Sequence, residues 1–145
     1  HVNQVEKAIS CFIEGFTCGQ AVLSTYGTQF GLDRQLALKL ATGLGGGLAC
    51  LGKTCGAVNG ALMVIGLKFG RSKLEDIEAK EETYKVTQDF IKRFETINDS
   101  IICRDLLGCD ISSIEGMNYA EKNDLFKVRC PQFVEDSSKI LETIL

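Results

Sequence analysis

The segment from residue 55 to about residue 68 is apolar on most sides and carries glycines at positions 56, 60 and 66. Its apolar residues recur at helical spacing, and a helix without a polar face is stable only when other elements surround it. Glycine has no Cβ atom, so a neighbouring helix or a cofactor can approach the backbone closely at these positions. We therefore expect the segment to be the central helix of the fold, capped by Thr54 and ended by Gly70.

Helical spacing of apolar residues continues through the rest of the chain, and no run shows the period-2 alternation of a strand. The pattern predicts an all-α fold. We expect one domain over residues 1–145, built as a compact bundle of about six or seven helices around the buried, glycine-rich central helix.

Local signals predict the boundaries of the first helices. Gly15 closes the first helix, and Thr17 and Asp33 are good N-caps for the second and third. Residues 72–75 fit a capping box that begins a long amphipathic helix. Two inward faces are predicted, formed by Leu36, Leu40 and Leu44 on the third helix and by Ile77, Tyr84, Phe90, Ile91, Phe94 and Ile97 on the long helix.

The C-terminal third gives fewer helical signals. Asp99 or Ser100 is the expected cap of a short helical segment over residues 103–107. Residues 110–124 are polar and aperiodic, which indicates a loop. Cys130 and Pro131 predict the start of the last helix, because proline favours the first helical position.

Charge and hydropathy exclude several classes of function. The 145-residue chain has a formal net charge of −3, so it offers no basic surface for nucleic acid or anionic lipid. Its longest apolar run, residues 61–67, is too short to span a bilayer. Residues 1–4 do not resemble a signal peptide, and His1 is assigned no role. We expect a cytoplasmic protein with mostly reduced thiols.

Seven cysteines are many for this length, yet their number is odd and no Cys-x-x-Cys pair occurs. Four of them, Cys18, Cys55, Cys103 and Cys130, lie at or near predicted helix starts. Unpaired N–H groups and the helix dipole favour the thiolate there, which is the form that attacks disulfides and binds metals. These four are therefore the candidate catalytic residues and the candidate metal ligands.

Two kinds of chemistry stay open for the four cysteines, beside simple packing in the core. They can exchange between dithiol and disulfide, with Cys55 as the low-pKa thiol that attacks first and Cys18 as its partner. They can also hold a metal, and four thiolates suit an iron–sulfur cluster, although their wide spacing forms no local zinc knuckle. Cys11 fits core packing, whereas Cys50 and Cys109 fit a resolving thiol, an extra ligand or incidental placement.

A glycine-rich stretch precedes the central helix. Gly45, Gly46 and Gly47, together with Gly56 and Gly60, are positions where a cofactor or substrate can come close to Cys55, and tight helix packing explains them equally well. Residues 47–54 also match the P-loop pattern G-x-x-x-x-G-K-T. Because the preceding residues 35–44 predict a helix and not a strand, we expect an accidental match, which leaves only a small-anion site open.

The order of these motifs resembles one known family. Residues 18–23, 45–47, 55–63 and 103–108 and the late Cys130 are similar, in that order, to the pattern of the redox-active proteins named for a C_GCAxxG_C_C motif, which carry a CGAxxG element. The resemblance covers nearly the whole chain, from about residue 18 to residue 130. It implies that Cys18, Cys55, Cys103 and Cys130 are the hallmark cysteines and that the protein has a functional link to a transporter.

We therefore expect a small redox-active protein, an oxidoreductase or electron-transfer component with its own redox partner. The cofactor, if one is bound, would be an iron–sulfur cluster or another metal. The alternatives are a non-enzymatic binding module with a structural metal, and an anion- or nucleotide-binding protein that uses the glycine loop. The glycines of the central helix would also allow a homodimer. The chain has no internal histidine, which removes the Cys–His design of cysteine hydrolases.

Overall fold

The computed structural model describes residues 3–145, so His1 and part of the expectation drawn from residues 1–4 lie outside it. Over the described residues the chain forms α-helices and short 3₁₀ turns without a strand, which confirms the all-α prediction. The eight α-helices of this range are α1 (Gln4–Glu14), α2 (Cys18–Gly27), α3 (Arg34–Leu40), α4 (Gly56–Phe69), α5 (Ile77–Asn98), α6 (Cys103–Leu107), α7 (Ile114–Lys122) and α8 (Leu125–Ile144).

The crossing of α2 and α4 is the centre of the fold. A Cβ atom on Gly60 would lie 2.9 Å from the carbonyl oxygen of Gly19, and one on Gly19 would lie 3.1 Å from that of Gly56. Such close backbone approach is possible only because these residues have no side chain. The Ser137 hydroxyl of α8 donates to the Ala57 carbonyl at 2.7 Å and ties a third helix to the crossing. The predicted central helix is therefore central, and it shares that position with α2, of which nine of ten residues are buried.

The predicted inward faces are only partly buried. On α3 the leucine stripe is wrong, because Leu36 and Leu40 are 49% and 56% exposed and the small Ala37 faces the core instead. On α5 the buried residues Phe90 and Phe94 lie in the C-terminal half, with ring centroids 6.4 Å apart. Three residues predicted to point inward from α5 are more than half exposed: Ile77, Tyr84 and Ile97.

Some of the predicted residues cap their helices, and others do not. Four predicted cap residues are in place: Gly15, Thr17, Asp33 and Gly70. The capping box at residues 72–75 is wrong, because Asp76 caps α5 and its carboxylate accepts the N–H of Ala79 at 3.1 Å. Sequence spacing alone does not separate the two candidate caps, Ser72 and Asp76, which lie four residues apart.

The C-terminal third departs most from the prediction. Residues 110–124 include α7, which begins after Ser113, whose hydroxyl accepts the N–H of Gly116 at 2.9 Å. The last helix begins at Leu125, so Cys130 and Pro131 lie inside it and not at its start. None of the helices within residues 3–145 combines the length and the apolar character needed to cross a membrane.

Candidate functional site

One cavity of about 660 Å³ brings the four candidate cysteines together. Each contributes to its lining, and each is buried: Cys18 is 8% exposed, Cys55 4%, Cys103 7% and Cys130 9%. The four residues come from four separate helices or helix starts, spread over more than a hundred positions of the chain. All seven cysteines of the chain are free thiols in this structure.

Cys18 is held at the first position of α2 by a capping box. The Thr17 hydroxyl accepts the N–H of Gln20 at 3.4 Å, and the Gln20 side chain accepts the N–H of Thr17 at 2.9 Å. The amide of Gln20 also donates to the Leu38 carbonyl at 2.9 Å, which fixes α2 against the end of α3. The capping box of Thr17 and Gln20 thus fixes Cys18 at the first position of α2.

Cys55 takes the N-cap position of α4, which corrects the prediction that Thr54 caps this helix. Thr54 instead forms an isolated antiparallel bridge with Ile102. Two backbone bonds flank this bridge: Cys55 donates its N–H to Ile101 at 2.7 Å, and Cys103 donates its N–H to Lys53 at 2.6 Å. The short antiparallel contact therefore brings two of the candidate cysteines to the same place.

Among the causes that shift the pKa of Cys18, its neighbour Cys55 is the largest. The Cys55 thiol donates a hydrogen bond to Cys18 and thereby lowers the pKa of Cys18 below its ordinary value, in opposition to burial. Three backbone N–H groups act in the same direction, those of Ala57, Gly19 and Gly56. They belong to the first turns of α2 and α4, where N–H groups have no helical partner. Cys18 is thus stabilised as a thiolate by two helix starts at once.

The pKa of Cys55 moves in the opposite direction. Its hydrogen bond to Cys18 raises the pKa of Cys55 well above the ordinary value, and burial and the negative charge of Cys18 add to the effect. The backbone N–H groups of Ala57 and Val58 oppose this rise without cancelling it. The directions of the two shifts oppose the expectation that Cys55 is the low-pKa thiol and favour Cys18 in that role. The sequence could not rank the two because the deciding N–H groups of α4 reach Cys18 across the helix crossing.

Cys103 opens the short helix α6, and its N-cap is Ile102, which corrects the predicted Asp99 or Ser100. Asp99 ends α5 in a left-handed conformation, and the Ser100 hydroxyl accepts the N–H of Ile102 at 2.9 Å. Burial raises the pKa of Cys103 to about 12, and negative charge on Cys18, Cys50 and Cys109 contributes further. Cys103 therefore stays a neutral thiol at physiological pH.

Cys130 reaches the cavity from within α8. The helix-start prediction is wrong here because the helix begins five residues earlier, at Leu125. Pro131 has no backbone N–H, so the Lys127 carbonyl receives no helical hydrogen bond from that position. Burial raises the pKa of Cys130, and charge on Cys18 and Cys103 raises it further. Of the four cavity cysteines, Cys18 thus has a lowered pKa, whereas the pKa values of Cys55, Cys103 and Cys130 are raised.

The glycine-rich stretch forms a left-handed turn over the site. Residues 46–50 all have positive φ, between 49° and 68°, although three of them, Leu48, Ala49 and Cys50, are not glycine. A left-handed conformation costs a non-glycine residue about 1–2 kcal/mol, and strain of this kind clusters at functional sites. Gly46 lines the cavity. A Cβ atom on Gly47 would lie 2.5 Å from the Cβ of Cys103. The loop was predicted to approach another element closely, and it does: its backbone packs against Cys103 at the cysteine site.

The five candidate cofactor glycines have separate positions. Gly46 and Gly56 line the cavity, whereas a Cβ atom on Gly45 would lie 2.7 Å from the Thr17 Cγ2 atom. Gly47 packs on Cys103, and Gly60 serves the contact between α2 and α4. A P-loop follows a strand of a parallel sheet. Residues 47–54 follow a 3₁₀ turn and not a strand, so their match to the P-loop pattern lacks the required structure.

A shared metal site is not formed by the described side chains. Within residues 3–145, no three His, Cys, Asp or Glu side chains stand together as ligands for one ion. The arrangement does not fit the predicted metal centre, and we derive no chemistry through a metal.

The remaining cysteines lie outside the cavity. Cys11 is buried on α1, and its sulfur lies 3.7 Å from the Ser24 hydroxyl, in agreement with the core packing expected for it. Cys50 is exposed on the left-handed turn, where a Cβ atom on Gly46 would lie 2.7 Å from its sulfur. Cys109 is partly buried after α6.

The aromatic wall of the cavity was not predicted from the sequence. Four phenylalanines line it together with the cysteines: Phe12, Phe16, Phe126 and Phe133. A signal was present, because Phe16 stands two residues before Cys18 and Phe133 three residues after Cys130. Those spacings place an aromatic ring near each cysteine, but apolar residues at helical spacing were assigned to the core.

A known family model matches most of the chain. The model of the family described as "Putative redox-active protein (C_GCAxxG_C_C)" matches residues 16–144, a range that includes all four cavity cysteines. No curated protein and no solved structure shows a significant match to the chain.

Proposed function

Because the chain belongs to the C_GCAxxG_C_C family of redox-active proteins, we propose that its redox chemistry is a dithiol/disulfide exchange at Cys18 and Cys55. The observation that supports this best is the pairing, in the lining of one cavity, of Cys18, whose pKa is lowered, with Cys55, whose pKa is raised, each being the largest cause of the other's shift. Thiol–disulfide exchange needs these two groups, an attacking thiolate and a second thiol that resolves the mixed disulfide.

In the first step, the Cys18 thiolate attacks one sulfur of a substrate disulfide. A mixed disulfide forms between Cys18 and one half of the substrate, and the other half leaves as a thiolate. Cys18 loses its negative charge when the new bond forms. The backbone N–H groups that favoured its charge do not have to move, because they belong to the fixed first turns of α2 and α4.

In the second step, Cys55 resolves the mixed disulfide. The charge of Cys18 is one of the causes that keep the pKa of Cys55 high, and that cause disappears once Cys18 is covalently bound. Cys55 then gives its proton to the substrate thiolate released in the first step, attacks the Cys18 sulfur and expels the second half of the substrate as a thiolate. Two electrons have passed from the cysteine pair to the substrate, and an external dithiol, acting as redox partner, restores the pair.

Mass spectrometry of the protein tests the pairing. Protein purified without oxygen would be equilibrated in buffers of reduced and oxidised dithiothreitol, alkylated and digested with trypsin. Cys18 and Cys55 fall in the tryptic peptides 8–34 and 54–68, so a disulfide between them joins two separate peptides. Since Cys11 shares the first peptide, the experiment is done in the Cys11→Ala variant, whose site is unaltered.

We expect the joined pair 8–34 and 54–68 to form in oxidising buffer with the loss of two thiols, and Cys55→Ala to abolish it. Cys109→Ser, which alters a thiol outside the cavity, is the matched control and should leave the joined pair unchanged. Iron and sulfide in the anaerobic protein, or seven thiols that stay unreactive in every buffer, would refute the dithiol mechanism.

Cytoplasmic location and the transporter link implied by the family resemblance stay predictions. A homodimer also stays a prediction, and sedimentation of the reduced protein would test it.

A further inference from the structure

We propose that the cavity above Cys18 takes small disulfides that carry an aromatic ring, with an anionic group on that ring facing Lys127, and that it excludes protein disulfides. The inference rests on the proposed dithiol function and names the substrate class of the same site. Three observations carry it: the depth of the sulfurs, the aromatic wall and the charge at the rim.

The depth of the sulfurs limits the size of the substrate. Cys18 is 8% exposed and Cys55 is 4% exposed, so a folded protein cannot bring a disulfide to them without opening the site. The cavity of about 660 Å³ lies within the range of roughly 300–1,000 Å³ that is usual for small-molecule sites. A small disulfide can therefore reach the thiolate where a protein loop cannot.

The wall of the cavity selects for an aromatic ring. Phe12 and Phe16 come from the end of α1 and the residues that follow it, and Phe126 and Phe133 come from α8. Phe133 is held from behind by Phe94, with ring centroids 6.4 Å apart and planes tilted by 55°. Aromatic pairs contribute more than their buried area alone, so rings on two walls favour an aromatic guest over an aliphatic one of equal size.

The rim of the cavity selects for negative charge. Among the described residues that line the cavity, Lys127 is the one cation, and it is exposed. An anionic substituent can therefore contact the solvent-exposed ammonium group of Lys127 while the ring and the disulfide lie among the phenylalanines of the cavity. The Cys18 thiolate repels an anion that goes deeper, so the rim is the favourable place for that charge.

Three disulfides separate these contributions: oxidised glutathione, which has no ring, 4,4′-dithiodipyridine, which has uncharged rings, and 5,5′-dithiobis(2-nitrobenzoic acid), whose rings carry carboxylates. The rate of reaction at Cys18 is measured by quenched flow and mass spectrometry of peptide 8–34 in the Cys11→Ala variant, so that the exposed Cys50 in peptide 40–53 does not contribute. Each rate is divided by that of the same reagent with free cysteine, which removes the intrinsic reactivity of the reagent.

We expect the corrected rate for 4,4′-dithiodipyridine to exceed that for oxidised glutathione by about tenfold or more, since each aromatic contact contributes roughly two- to tenfold. Phe126→Leu keeps an apolar side chain and should lower the rate with both aromatic reagents by about two- to tenfold. Phe69→Leu, which changes a phenylalanine outside the cavity lining, is the matched control and should leave the rates unchanged.

Lys127→Gln tests the rim. The variant should slow the carboxylated reagent by about two- to fivefold at low salt, the size of an exposed charge contact, and leave 4,4′-dithiodipyridine unaffected. Lys85→Gln, on α5 and away from the lining, should change neither. Equal slowing of both reagents by Lys127→Gln would overturn the charge assignment.

The outcomes keep the two proposals apart. If the joined peptides 8–34 and 54–68 form in dithiothreitol buffer but the three corrected rates are equal, the substrate class is wrong and the dithiol mechanism stands. If the joined peptides never form, the mechanism itself fails whatever the rates. Rapid reduction of a folded protein's disulfide by the reduced Cys18–Cys55 pair would overturn the exclusion of protein substrates.

Discussion

The Cys18 sulfur lies 2.7 Å from the point that a Cβ atom on Gly56 would occupy. The thiolate therefore sits in the space that any other residue at position 56 would fill, against the first turn of α4. The carbonyl oxygen of Leu44 and the N–H of Gly19 crowd the same point, at 2.9 Å and 3.1 Å. Gly56 is thus part of the site because it has no side chain, which leaves room for the Cys18 sulfur.

The first prediction concerns two glycines of the same helix. Gly56→Ala should lower the free energy of unfolding by about 1–3 kcal/mol, the usual cost of overpacking. Gly66→Ala is the control, because a Cβ atom there meets nothing within 4 Å, and it should raise the free energy of unfolding by about 0.5–1 kcal/mol. Urea denaturation of the reduced proteins measures both, and equal stability of the two variants would contradict the packing described.

The second prediction concerns the pH dependence of alkylation. The thiolate reacts and the thiol does not, so the rate at Cys18 rises as pH increases through its pKa and is lost below it. Because that pKa is lowered, the midpoint should lie below the ordinary value of 9.0. Iodoacetamide labelling of peptide 8–34 in the Cys11→Ala variant, followed by mass spectrometry, gives the midpoint.

The Cys55 thiol should account for part of this shift, because it is the largest cause of the lowered pKa of Cys18. Cys55→Ala therefore moves the midpoint to higher pH, since a hydrogen bond to a charged group contributes about 1.5–3 kcal/mol. Cys109→Ser serves as the control. A midpoint at or above 9.0 in the parent protein would show that Cys18 is not the stabilised thiolate.

The third prediction concerns the left-handed turn. Gly47 and Gly108 both have positive φ, of 68° and 76°, but a Cβ atom on Gly47 meets Cys103 and the Lys53 backbone, whereas one on Gly108 meets nothing within 4 Å. Gly108→Ala should cost only the conformational penalty of about 1–2 kcal/mol. Gly47→Ala should cost about 1–3 kcal/mol more because of the clash.

Thermal and urea denaturation compare the two alanine variants, and labelling of Cys103 reports on the site. Alkylation of Cys103 should speed up in Gly47→Ala, because the turn has to move away from it, and stay unchanged in Gly108→Ala. If both variants lose the same stability, the turn does not press on Cys103 as described.

Much of the candidate site could be predicted because its signals are local. Thr17 and Gln20 form a capping box within four residues, and that places Cys18 at a helix start in any fold. Cys130 shows the limit of such reasoning. Pro131 predicted a helix start, but α8 begins at Leu125 and contains the proline. Cys130 therefore lines the cavity because of the way α8 packs, and not because it starts a helix.

Apolar periodicity and short-range caps by themselves determined the all-α class, the central glycine-bearing helix and the position of Cys18 at a helix start, because these depend on neighbours a few residues apart. Only the tertiary structure decided which thiol has the lowered pKa, where the left-handed turn lies and which rings line the cavity. The pKa of Cys18 depends on N–H groups of α4, and Gly47 meets Cys103 more than fifty residues away. Charge stabilisation and close packing act through distance in space, which spacing along the chain does not specify.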